Sequence, residues 1–72
     1  MPKLPVLSGA EVIKGFERLG FEVVRQRGSH VVMRRGSSGC VVPKHAEVKT
    51  GTLAGIIRQS GVTQEDFLEA TK

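Results

Sequence analysis

The apolar positions of the chain change their period twice. Between residues 8 and 20, Val12, Ile13, Phe16 and Leu19 recur three and four apart, which gathers them on one face of a helix. Ser8 followed by Glu11 three residues on is a capping box, and Gly20 is a natural stop. Gly15 weakens this helix by about 1 kcal/mol relative to alanine. Three short β-branched runs follow, "FEVVRQ" (21–26), "SHVVMRR" (29–35) and "CVVPK" (40–44), punctuated by Gly28 and by the loop "GSSG" (36–39). The helical period returns in "KTGTLAGIIRQSG" (49–61), where Leu53, Ile56 and Ile57 share a face, Thr50 or Thr52 caps the start and Gly61 ends it. "TQEDFLEA" (63–70) predicts a last short helix capped by Thr63, with Glu65, Asp66 and Glu69 in the first two turns, where they suit the dipole.

The expected order is therefore α-β-β-β-α-α, an α+β fold. Connections this short make the three strands an antiparallel meander, and the helices are available to cover at least one face of the sheet. A chain of 72 residues predicts one domain over 1–72. A domain of this size buries only about 60% of its unfolded surface, which excludes a deep enclosed active site and leaves any chemistry on an exposed face. If Val31 and Met33 point at the helices, strict alternation turns His30, Val32 and Arg34 to the open face. The neighbouring strands then add Val24 and, depending on register, either Cys40 with Val42 or Val41.

Charge sharpens the picture. The net charge is +4, and between Arg25 and Arg58 there are seven basic residues against one acid, Glu47, a segment charge of +6. A patch of this kind attracts polyanions, phosphate backbones first, although a merely solvated basic surface has the same composition. Cys40 is the one cysteine, so neither an intramolecular disulfide nor a cysteine metal cluster is available, as suits a reducing cytoplasm. The start "MPKLPVLSG" does not read as a secretory leader, and no apolar run approaches the ~18 residues of a membrane span. The expectation is a cytoplasmic protein with no membrane association.

The stretch "RQRGSHVVMRR" (25–35) holds the clearest candidate chemistry. Gly28 turns the chain, Ser29 sets a hydroxyl beside His30, and Arg25, Arg27, Arg34 and Arg35 are able to hold a phosphate nearby. Metal-free RNA cleavage needs a base for the ribose 2′-hydroxyl, an acid for the leaving oxygen and positive charge for the phosphorane. One histidine and an arginine supply that minimum; a strand histidine is also commonly a packing or hydrogen-bonding residue. Lys44 and His45, in "VPKHAEVKTGT", offer a phosphate contact or a second proton-transfer group, or else a plain loop. Cys40, His30 and His45 are zinc-ligand types but do not have a recognised ligand spacing, and no metal or small-molecule cofactor is expected. "GSSG" lacks the lysine of a phosphate-binding loop and reads as a hairpin turn.

Nearly the whole chain resembles the HicA toxin family of bacterial and archaeal toxin–antitoxin systems. The matching stretches are "LSGAEVIKGFERLGFEVVRQRGSHVVMRR", "VPKH" and "GTLAGIIRQSGVTQEDFLE". They are specific as a set rather than singly. The resemblance implies a double-stranded-RNA-binding-domain-like fold, an mRNA interferase activity (an endoribonuclease acting on mRNA) and a HicB-type antitoxin as partner. It implies that the histidine of the G-S-H motif, His30, is the catalytic one, with Gly28 and Ser29 completing the motif. The arginines are then expected to track the RNA backbone, and the antitoxin to cover His30 and the basic face. A non-catalytic RNA-binding module of the same fold is the alternative.

Overall fold

The computed structural model describes residues 4–72. The elements run α1 (Gly9–Arg18), β1 (Glu22–Arg27), β2 (His30–Arg35), β3 (Ser38–Pro43), α2 (Thr50–Ser60) and α3 (Gln64–Ala70). This is the expected α-β-β-β-α-α order. The sheet is antiparallel throughout with strand order β1-β2-β3, and the helices form a layer against one face of it.

Local signals set most boundaries. The Ser8 hydroxyl accepts from the Glu11 N–H at 3.1 Å while the Glu11 carboxylate accepts from the Ser8 N–H at 2.9 Å, so the capping box is complete. Thr63 caps α3 through the Asp66 N–H at 3.1 Å, and Gly61 ends α2 in the left-handed region at φ 78°. Two boundaries depart from the pattern. Neither Thr50 nor Thr52 caps α2; Lys49 holds the N-cap position and makes no side-chain cap bond. The cause lies upstream: buried Val48 is pinned by its N–H to the Leu7 carbonyl at 2.6 Å, which brings Thr50 directly into the first turn. "GSSG" is also shorter as a loop than expected, because Ser38 and Gly39 already pair with Arg35 and Arg34. Gly36, at φ 60°, reverses the chain in two residues, so the ladder closes at once.

The core lies between the helices and the inner face of β2 and β3. Val31, Met33, Cys40 and Val42 meet Val12, Phe16, Phe21, Leu53, Ile56, Ile57 and Phe67 there. The three phenylalanines form its centre, with Phe16 edge-on to Phe21 (centroids 5.2 Å apart) and tilted against Phe67 (4.9 Å). Gly15 explains its own place in the α1 interior: a Cβ there would press on the Phe67 ring and the Thr71 methyl, so the glycine lets α3 approach α1. β1 projects beyond this packing, and all six of its residues are exposed. Among the described residues no helix is long and apolar enough to cross a membrane.

Candidate active site

The register of β2 decides which side chains can act together. Val31 and Met33 are buried, so His30, Val32 and Arg34 face away from the helices. Directly opposed residues share a face, and the ladder therefore builds three rows across the open side. One row is Arg27–His30–Pro43, the next Arg25–Val32–Val41, and the third Glu22–Arg34–Gly39. Val41, not Cys40 with Val42, is the β3 contribution to this face; Val41 is 37% exposed while the other two are buried. Val24 sits at a bulge between Val23 and Arg25 and is 54% exposed.

The basic residues separate by their surroundings. Arg25, Arg27 and Arg34 flank His30 on the open face, and Lys44 is exposed just beyond β3. Among the described residues the ion pair formed is Lys72–Glu69, far along the chain from these four cations. Their charge is consequently free to act on an outside anion. Arg35 behaves differently: it donates to the Leu19 carbonyl at 2.8 Å and its guanidinium lies 4.8 Å from the Phe21 ring centroid. That arginine ties the end of β2 to the end of α1.

The two motifs, fifteen residues apart in sequence, meet in space. Gly28 and Ser29 form a two-residue hairpin loop with positive φ only at Gly28 (55°), the pattern of a type II′ turn, whose twist suits a tight hairpin. The Ser29 carbonyl accepts from the Lys44 N–H, which carries the β2–β3 pairing one step past His30 and Pro43. The Ser29 hydroxyl lies 3.3 Å from His45 Nε2. The His45 carbonyl accepts from the Gly9 N–H at 2.7 Å, and its own N–H reaches the Pro43 carbonyl at 2.9 Å. His30, next to Ser29 in the chain, and His45, in contact with Ser29 in space, thus lie at one end of the sheet.

Gly9 is the residue that sequence reasoning missed. A Cβ there would run into the Pro43 carbonyl, the Lys44 Cα and the His45 nitrogen, all backbone atoms that shift only at a cost. The N-terminus of α1 is packed directly on the segment that carries His45. The one sequence signal was a glycine right after the N-cap serine, at a position where many residues start a helix well.

Cys40 belongs to the other side of the sheet. It pairs with Met33 in the core, and burial pushes its thiol up to about 11, so it is an inert apolar filler. It does not converge with His30 and His45. Among the described residues no group of three or more His, Cys, Asp or Glu is placed to hold a metal ion.

Two comparisons bear on this site. The family model described as HicA toxin of bacterial toxin-antitoxin matches residues 9–62, a span that includes Gly9, the Gly28–His30 loop and the Pro43–His45 segment. No curated protein matches the chain.

Proposed function

The chain belongs to the HicA toxin family, and so to the toxin side of a bacterial toxin–antitoxin system; we propose that it acts as an mRNA interferase, a metal-independent endoribonuclease of the cytoplasm with His30 as its catalytic histidine. The observation that carries this reading is the row Arg27–His30 on a sheet face that none of the described helices covers. An imidazole exchanges protons near neutral pH, and a guanidinium opposite it meets a phosphate with two parallel donors. Attack by the ribose 2′-hydroxyl requires proton transfer and stabilisation of a doubly charged phosphorane, and these side chains can provide both.

Arg25, Arg34 and Lys44 extend the positive field around the same histidine, so the RNA is held by its backbone. A HicB-type antitoxin neutralises the toxin by covering His30 and this basic face. The exposed Val41 and partly exposed Val32, in the row next to His30, give that partner apolar surface to bury among the charges.

The test compares RNA integrity in cells expressing the wild type or His30→Ala, followed by assays of the purified proteins with a chelator present. Loss of mRNA with the wild type alone, undiminished by the chelator, is the expected result. Equal RNA survival with both proteins folded would sink the nuclease reading and leave a non-catalytic RNA-binding module.

A further inference from the structure

We propose that His45 is the second proton-transfer group of the RNA-cleaving site, oriented by the Ser29 hydroxyl. The proposal rests on the ribonuclease reading above and specifies its missing half. In-line attack places the nucleophilic 2′-oxygen and the departing 5′-oxygen on opposite sides of the phosphorus. A single imidazole on one side cannot serve both atoms in the same transition state; an arginine supplies charge to the far side, and a second imidazole there supplies a proton as well.

His45 fits that second role by position. His45 has its carbonyl held by Gly9, its N–H by Pro43 and its ring by Ser29. Gly9 leaves no space for a side chain at this contact, so the helix start and the histidine segment are fitted to one another. Ser29 is the neighbour of His30 in the chain and the contact of His45 in space, so the two histidine-bearing segments meet at one end of the sheet, and the proposal places both imidazoles on one phosphodiester. When the Ser29 oxygen accepts from Nε2, Nδ1 is the nitrogen left for the substrate. The charged groups around this end of the sheet are Arg27 on β1, His30 on β2, Lys44 and Glu47 on the connecting segment, and Glu11 on α1, whose carboxylate is already engaged by Ser8.

The reaction balances without an added reactant. One imidazole takes the 2′-hydroxyl proton as the 2′-O–P bond forms. The P–O5′ bond breaks, and the other imidazolium gives its proton to the departing 5′-oxygen. The products are a 2′,3′-cyclic phosphate and a 5′-hydroxyl, and the proton count is unchanged.

The experiment follows cleavage of a mixed-sequence fluorescent RNA by the purified chain from about pH 5 to 9, the range over which imidazoles titrate. His45→Gln keeps an amide able to meet Ser29 but cannot transfer a proton. It is expected to lower kcat by roughly 10²–10⁴-fold with KM little changed, and to remove one limb of a bell-shaped pH profile. Ser29→Ala is expected to lose about tenfold or less, as suits a positioning residue. For His45→Ala, added imidazole restores part of the rate. Wild-type kcat in His45→Gln, a lowered rate with both limbs intact, or no response of His45→Ala to imidazole would each overturn the assignment. Wild-type protein that leaves RNA uncut would instead defeat the ribonuclease reading, and this inference with it.

Discussion

Arg27 stands directly across from His30 in the β1–β2 ladder, on the face of the sheet that the helices leave bare. β1 makes this pairing although none of its own residues is buried, so its place is set by the ladder, by the Gly28–Ser29 turn and by buried Phe21 just before it. Removing the guanidinium should therefore cost function and little stability. Arg27→Ala is expected to unfold within a few degrees of the wild type. Its RNA binding should weaken across all sequences, with the slope of log K against log salt reduced by about 1. Filter binding at several salt concentrations checks this.

Arg35 predicts the opposite split. Its guanidinium is already spent on the Leu19 carbonyl and the Phe21 ring. Arg35→Ala should lower stability by on the order of 1 kcal/mol and leave the salt slope of RNA binding unchanged. Urea unfolding beside the same binding assay separates the two arginines.

Gly9→Ala tests the contact between α1 and the histidine segment. The added methyl meets only backbone atoms, so the segment has to move. A cost of about 1–3 kcal/mol is expected from overpacking. Cleavage should fall further than stability does, since His45 is displaced. A variant that retains full cleavage while losing stability would separate the packing from the site.

Phe67→Ala empties the middle of the aromatic cluster, where the ring is fully buried against Phe16. The loss should reach about 3–5 kcal/mol. A chain of this length has a total stability of roughly 4–11 kcal/mol, so the variant should be largely or marginally unfolded at 37 °C. Circular dichroism during thermal unfolding reads this directly.

The capping box carries a pH dependence of known sign. The Ser8 backbone N–H, and then its hydroxyl, hold the Glu11 carboxyl below its ordinary 4.5. A lowered folded-state pKa contributes stability that is present above 4.5 and lost as pH falls through the lower folded value. The Tm difference between wild type and Glu11→Ala should therefore be constant near neutrality and shrink in acid below 4.5. A difference independent of pH would show that the carboxylate's charge contributes nothing.

How much of this was legible beforehand differs from element to element. The capping signals at Ser8, Glu11, Thr63 and Gly61 act over three or four residues, so the chain states them locally, and the structure keeps them. The Thr50 or Thr52 cap failed because a long-range contact, Val48 to Leu7, decided where α2 begins. The faces of β2 followed from alternation; the choice of Val41 over Cys40 and Val42 needed the register, which no stretch of β3 contains by itself.

The same division runs through the candidate site. By itself the sequence determined the element order, the buried face of β2, the basic bias between Arg25 and Arg58 and the two histidine-bearing motifs, because periodicity, turn chemistry and charge are written in near neighbours. Only the tertiary structure decided that Ser29 reaches His45, that Arg27 faces His30, that Arg35 serves the core edge and that Gly9 must lack a side chain. Those are contacts between residues 3 to 36 positions apart, and their geometry depends on strand register and helix docking, which are settled when the core packs.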